Sequence, residues 1–466
     1  MNVQKWLSDL GYPDANVPTL MSNRISAWWA WYTSTADFYS ETYTNGKRKY
    51  STSKISMSVA RMVSEAWASL ILNEAGDVKI SFENNDVANE WLEDWINSSG
   101  FLFYAPQVIQ RMCALGTAAW ALRLENVAEY GKSAELVIKP QRFDASQIIP
   151  LTYDEDSCTE AAFKSSTVID GKPYDMVQAY LKSEDGTYTI KTAYIDKDEQ
   201  KLVHFDGYAE EVNTGSYTQP FTLLRLGLDN PYWQFSPFGV SIFDGAIGTL
   251  ALAENALNSL NSDLRLGKKR MFFSDNMIPV DDNGKVQTTQ MIEQELYRSL
   301  GNPSLDDKGT ITEYNPDLRV DDNRKAIDTA LLLLGMRTGL GAKFFSLDSA
   351  QGIKTATEVA SDNSELMRNL VKHENAIEPA MVIICRAACE IQSALGAGNL
   401  GDTNDSITVT FDDSIIQDTD ALRERDRADV AAGLMQAWEY RSKWYGETEE
   451  QAREMTEVTT LPETEY

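Results

Sequence analysis

The 466-residue chain has two histidines, His204 and His373, and four cysteines. The two imidazoles are far apart in sequence, so a Ser-His-Asp or Cys-His centre would need one of them brought in by folding alone. Cys113, Cys158, Cys385 and Cys389 form no Cys-x-x-Cys pair. Cys385 and Cys389 lie four apart on one helical face, but no third or fourth metal ligand is near. Free buried thiols are therefore expected, and they suit a reducing compartment. Positive charge is also scarce: 42 Lys and Arg face 70 Asp and Glu, a formal charge of −28. A protein that grips DNA tightly usually carries a basic stripe, and this composition offers none overall. No run of eighteen apolar residues occurs, which argues against a membrane-spanning helix. The N-terminal Met-Asn-Val-Gln-Lys-Trp-Leu lacks the charged-then-apolar pattern of a signal peptide, so the protein is expected to stay in the cytoplasm. A nucleotide loop is missing as well. It needs Gly, four residues, then Gly-Lys-Ser/Thr, and here Ile353 separates Gly352 from Lys354.

What is present is a large apolar complement. Hydrophobic residues make up 43% and include 11 Trp, enough for an extensive core. This length exceeds one compact core and implies two to four subdomains. Residues 1–23 read as a loose arm with one short helix. Residues 24–235 read as an α+β domain, helices first and antiparallel strands after. Helices are expected over 53–73, 86–97 (with Asp86 as N-cap) and 105–115. Strands are expected over 77–83, 116–125, 135–139, 147–151, 176–182, 188–195 and 221–226. The aromatic run Trp28, Trp29, Trp31, Tyr32, Phe38, Tyr39 and Tyr43 reads as core or subunit contact, because few cations interleave with the rings to make a base-stacking platform. Lys47-Arg48-Lys49 reads as a solvated basic turn.

The most informative stretch runs from 236 to 395. A helix over 238–266 carries Phe243, Ile247, Leu250, Leu257, Leu260 and Leu264 at spacings of 3, 4 and 7. Gly239, Gly245 and Gly248 near its start either allow close approach of neighbouring helices or mean that the helix begins later, near Thr249. An insert over 267–316 opens with Lys268, Lys269 and Arg270, continues into the strand-like Met271-Phe272-Phe273, and carries a turn at 281–284 and a helix over 289–300. A second helix over 317–338 has Val320, Ile327, Leu331 and Leu334 on one side. A Gly-rich loop follows over 339–354. One long helix over 355–395 then carries Val359, Leu366, Leu370, Ile377, Met381, Ile384, Ala388, Ile391 and Leu395 on one stripe. It would extend about 60 Å, with Pro379 expected to kink it. A strand over 406–411 and two helices over 418–440 and 447–456 complete the chain.

This layout resembles the portal proteins of tailed bacteriophages, in the branch typical of long-tailed phages of Gram-positive hosts. The likeness is carried by Phe235-Ser-Pro-Phe-Gly-Val-Ser-Ile-Phe243 and the helix ending in Gly267-Lys-Lys-Arg270. It continues in Gly352-Ile-Lys-Thr-Ala-Thr-Glu-Val359, Asp429-Val-Ala-Ala-Gly-Leu434, Ser442-Lys443 and Gly446-Glu-Thr-Glu-Glu-Gln-Ala452. The resemblance implies an α+β, mostly helical ring subunit. Its parts would be an arm (1–23), a wing (24–235), stem helices (236–266 and 317–338) flanking a clip (267–316), a tunnel loop (339–354), a long kinked wing helix and strand (355–417) and a helical crown (418–466). It makes Lys343, Phe344, Phe345, Gln351 and Lys354 candidates for facing a channel. Arg265, Lys268, Lys269 and Arg270 become the basic cluster of the stem and clip, set to touch DNA phosphate, an acidic partner, or acidic residues of the next subunit. The last is favoured in so acidic a chain.

The function implied is structural, not enzymatic: a ring of usually twelve copies at one capsid vertex, in the virion, assembled in the host cytoplasm. Double-stranded DNA would pass through it without sequence specificity. Its expected partners are the terminase large subunit, head-completion or adaptor proteins, and the major capsid and scaffold proteins, with no membrane. No cofactor is expected, beyond divalent cations held loosely between subunits. Composition alone reads −28 as a soluble acidic protein without a nucleic-acid role, whereas the resemblance reads it as a wall that lets phosphate slide. A connector or minor capsid protein without DNA passage is the alternative, and an acidic hydrolase the third reading.

Overall fold

The computed structural model describes residues 3–457 except 47, 73–77, 129–130, 155–156, 199–200, 206–208, 274–296, 300–310, 346–355 and 412–418. The chain opens with α1 (Val3–Asp9) and α2 (Thr19–Tyr32), then a ribbon of β1 (Ser40–Asn45) and β2 (Arg48–Ser53). α3 (Val59–Ile71), β3 (Lys79–Phe82), α4 (Asp86–Ser99) and α5 (Phe101–Leu115) follow. The strand-rich part holds β4 (Thr117–Glu125), β5 (Val137–Asp144), β6 (Ile148–Asp154), β7 (Ser157–Ile169), β8 (Lys172–Lys182) and β9 (Tyr188–Asp196). Short strands β10 (Leu202–Val203) and β11 (Glu211–Asn213) both pair with β9, and β12 (Phe221–Arg225) returns to β4. Then come α6 (Ile247–Leu266), β13 (Arg270–Phe273), β14 (Tyr297–Ser299), β15 (Ile311–Tyr314), α7 (Val320–Thr338) and α8 (Ala356–Leu395). The chain closes with β16 (Ile407–Thr410), α9 (Thr419–Ala431), α10 (Ala437–Tyr445) and α11 (Glu449–Glu457).

The fold is α+β. Strands β6 to β9 form an antiparallel meander, and β12, β4 and β5 form a second sheet. β4 is buried from Thr117 to Leu122 because α5, α8 and the strands on either side cover it. The stripe Leu370, Ile377, Met381, Ile384, Ala388 and Ile391 of α8 lies in the same core. Burying each such Leu or Ile contributes on the order of 1.5–3 kcal/mol. α8 runs unbroken through Pro379, whose ring leaves the fourth preceding backbone carbonyl without its helical donor. From α8, Arg386 donates to the carbonyls of Thr403 (2.7 Å) and Asp405 (3.0 Å) beyond the helix end. This holds β16 antiparallel to β3, more than three hundred residues earlier in the chain.

Several expectations are corrected. The helix expected over 238–266 begins only at Ile247. Its predecessor segment runs along the α5–β4 turn: Ile242 N–H donates to Cys113 O (2.9 Å) and Gly239 N–H to Thr117 Oγ1 (3.0 Å). Phe238 and Phe243 are fully buried there, so the place of Phe243 on the apolar stripe reflects burial of an irregular, turn-rich segment, not a helical face. A Cβ on Gly239 would meet Gly116 O at 2.5 Å, so the close approach it permits is to this turn. The N-cap of α4 is Asn85, accepting from Ala88 N (3.0 Å), one residue before the expected Asp86. The arm is not loose: Trp6 and Leu7 pack on Ala162, Val177, Ala179, Ala193 and Ile195 on one face of the meander. The helix expected over 418–440 is two helices. Gly433 takes φ +73° and Leu434 N–H reaches back to Asp429 O (2.9 Å), which ends the first. Strands β1, β2, β7, β10, β11 and β15 were not foreseen. The described residues of β2 are all exposed, so no alternation of apolar residues marks it. In the insert, 297–299 is strand where a helix was expected. The turn at 281–284 lies outside the described residues.

Candidate functional site: the helix pair, its insert and its loop

α6 and α7 pack as a pair flanking the insert. The pair is pinned where the insert leaves it. Arg319 grips Asp263 through Nη2 (2.8 Å) and Nε (3.1 Å), and Asn323 Nδ2 donates to the same carboxylate (2.8 Å). The Arg319 and Asn323 hydrogen bonds hold the Asp263 carboxyl below its ordinary pKa. A Cβ on Gly267 would meet Leu318 Cδ2 at 2.4 Å, so the two chain ends converge to a narrow neck.

The basic cluster sits just beyond this neck. Lys269 pairs with Glu313 (2.6 Å) across the β13–β15 ladder of its own chain. Arg265, Lys268 and Lys269 are exposed and Arg270 is half-buried. Lys269 thus has a partner within its own chain, because the register sets Glu313 opposite Met271, a diagonal neighbour of Lys269.

The loop after α7 has a fixed root. Gly339 (φ +77°) and Gly341 (φ +89°) reverse the chain so tightly that Gly341 N–H bonds Gly335 O (3.1 Å), and a Cβ on Gly335 would stand 2.2 Å from Gly341 O. These glycines serve a left-handed reversal and a close approach. Trp67 of α3 donates its indole N–H to Thr338 O (2.9 Å), and Asn369 of α8 donates to Gly339 O (3.0 Å). Leu340 is buried. His373 packs edge-on against Trp67 (4.8 Å). Its burial, aided by Lys372, pushes its pKa down to about 4. Lys343 and Phe344 are exposed, whereas Phe345 packs against the main core with its ring 5.0 Å from that of Phe344. Gln351 and Lys354 lie outside the described residues.

Sequence reasoning missed a buried carboxylate on α6. Glu254 is wholly buried and accepts from Tyr39 Oη (3.0 Å), Ser56 Oγ (2.9 Å) and Met57 N (2.9 Å). Tyr39 and Ser56 flank the β1–β2 ribbon, so this one side chain ties both ends of the ribbon to α6. Burial is the main reason the Tyr39 phenol is pushed up to about 12. A lone acid between Leu250, Ala253, Ala256 and Leu257 was the available signal.

A family model for the phage portal protein, SPP1 Gp6-like, matches residues 23–457. The chain belongs to this portal family. That family is structural and non-enzymatic, and its members are parts of the virion. Among solved structures, a similar chain occurs in "Virion of native gene transfer agent (GTA) particle", at 12% identity over 95% of this chain and 98% of that one, TM-score 0.41. Another is in "Neck of native GTA particle computed with C12 symmetry" (13%, 81% and 88%, TM-score 0.39). A third is in "Neck of empty GTA particle computed with C6 symmetry" (11%, 92% and 95%, TM-score 0.41). No curated protein matches the chain. In this portal-family chain all four cysteines are free and buried, and burial pushes the Cys158 and Cys389 thiols up to about 12. Among the described residues no three His, Cys, Asp or Glu gather as a metal site, and no helix is long and apolar enough to cross a membrane.

Proposed function

We propose that the chain is the subunit of a ring channel, of about twelve copies, at one capsid vertex, through which double-stranded DNA is packaged and ejected. In this reading α6 and α7 are the stem, 267–316 the clip that meets the terminase large subunit and later the adaptor, and 339–354 the tunnel loop. Residues 24–235 with α8 and β16 form the wing, and α9 to α11 the crown. The observation that carries it is the apolar surface of the helix pair. Leu252 (46%), Leu264 (50%) and Leu266 (51%) of α6 and Leu332 (43%), Leu333 (39%) and Met336 (54%) of α7 are exposed in the single chain. A Cβ on Gly245 or Gly248 meets nothing within 4 Å, so the approach to α6 is open there. Paired helices with apolar outer faces call for neighbours of the same kind, and a head-to-tail contact repeated by rotation closes a ring.

Negative-stain electron microscopy with mass photometry tests this, on the chain alone and co-expressed with scaffold and capsid proteins. Rings with a central hole are expected. A closed oligomer without a hole in both preparations refutes the channel and favours a connector without DNA passage.

A further inference from the structure

An arginine-walled notch of about 250 Å³ lies between α5 and the β5–β6 turn, lined by Gln107, Arg111, Arg142, Asp144 and Gln147 among others. Both guanidiniums are braced on aromatic rings. Arg111 lies over Trp29 (4.6 Å to the ring centre) and Arg142 over Tyr104 (4.1 Å). Arg142 donates to Gln107 Oε1 (2.9 Å). Arg111 Nη1 is buried with no hydrogen-bond partner among the described residues. Asp144 also lines the notch, but its Oδ1 is taken by the N–H (2.9 Å) and hydroxyl (2.5 Å) of Ser146, and among the described residues no salt bridge joins it to Arg111 or Arg142. The rim is aromatic and open: Phe103 is 68% exposed, and Trp29 and Tyr104 are each 38% exposed.

A buried charged donor without an acceptor is costly, and a pair of fixed guanidinium forks suits a planar or tetrahedral oxyanion, a carboxylate or a phosphate, received by two or more N–H groups. Arginine with tryptophan and tyrosine at the rim is also the composition of protein-interface hot spots. In a closed ring each contact is heterologous, so a patch on one copy meets a different patch on the next. A cationic notch on a chain with 70 acidic and 42 basic residues therefore meets a neighbour whose remaining surface is acidic.

We infer that the Arg111–Arg142 notch receives an Asp or Glu side chain of the adjacent copy, and that Phe103, Tyr104 and Trp29 seal the contact. This rests on the ring reading above. The test places a benzoylphenylalanine photo-crosslinker at position 103 of the full chain and maps its products in assembled rings. It also measures ring formation by mass photometry for Arg111→Gln/Arg142→Gln. Expected are inter-copy crosslinks to an acidic segment, and at least a ten-fold rise in the concentration for half-assembly with unchanged circular dichroism and melting. If the double variant fails to fold, Arg142→Gln alone keeps the same readout. Wild-type rings with no inter-copy crosslink from 103, or variants that assemble like wild type, overturn the notch while leaving the ring intact. Reduced anisotropy of a labelled DNA duplex with assembly unaffected overturns it in favour of phosphate. A wild-type chain that makes no ring, either alone or co-expressed with scaffold and capsid proteins, refutes the ring reading and this contact with it.

Discussion

Replacing Glu254 by Gln tests whether one buried carboxylate fastens the β1–β2 ribbon to α6. The carboxylate takes three donors, Tyr39 Oη and Ser56 Oγ on one oxygen and Met57 N–H on the other. Hydrogen bonds to a charged group contribute roughly 1.5–3 kcal/mol each, neutral ones roughly 0.5–1.5. Gln keeps the shape. Its carbonyl can face the Met57 amide, which cannot rotate, and its NH₂ can face the two hydroxyls, which can turn to accept. Three bonds then weaken by about 1 kcal/mol each, partly offset because a buried carboxylate carries a desolvation cost. The net loss is about 2 kcal/mol, and by the rule of tenfold per ~1.4 kcal/mol it opens the contact about 30-fold more often. Hydrogen exchange followed by mass spectrometry reads this at the Met57 amide, in a peptide over 54–58. Glu254→Ala leaves all three donors without their acceptor and should cost roughly 4 kcal/mol, about a thousand-fold. Tyr39→Phe removes one donor and should cost about 1 kcal/mol. Wild-type exchange in both the Gln and Ala variants, with melting unchanged, would falsify the fastening role.

Other outcomes follow from the same geometry. His373 titrates at about 4 in the fold and near 6.5 when unfolded, so the unfolded chain binds the extra proton between those values. Its stabilisation is complete above pH ~6.5 and falls away by about 3 kcal/mol toward pH 4, and His373→Phe should flatten that slope in melts taken from pH 7 to 4.5. An equally steep slope in the variant rules the reasoning out. Gly335→Ala puts a Cβ 2.2 Å from Gly341 O, so destabilisation of at least about 2 kcal/mol is expected in urea titration, and a neutral result would mean that the loop root yields. Joint replacement of Lys343, Phe344 and Phe345 by Ala should impair DNA packaging or retention while rings still form. Normal packaging removes that loop from the channel. Twelve copies would carry 12 times −28, about −340, so sedimentation should show ring association strengthening with added salt or Mg²⁺. Buried pairs such as the one inferred at the notch are screened less than this diffuse repulsion, and association that weakens as salt rises argues against the repulsion account.

The helices α6, α7 and α8 were legible because apolar residues recur along them at a helical period, and a 3.6-residue period marks a helix without knowledge of what covers it. The family likeness was legible for a related reason, since short segments in a fixed order survive without any catalytic signature. Composition alone set the other broad facts, the excess of acid and the scarcity of histidine and cysteine. Partners distant in the chain were not legible. That Glu254 meets Tyr39 and Met57, that Trp67 holds Thr338, and that Arg111 and Arg142 wall one notch all depend on contacts that no spacing encodes. The same holds for the glycines. The sequence showed a Gly-rich loop, and packing against Gly335, Trp67 and Asn369 makes Gly339 and Gly341 a tight reversal. Local propensity says what a segment can do. Only tertiary packing, by taking up its hydrogen bonds and its space, decided which of those options this chain uses.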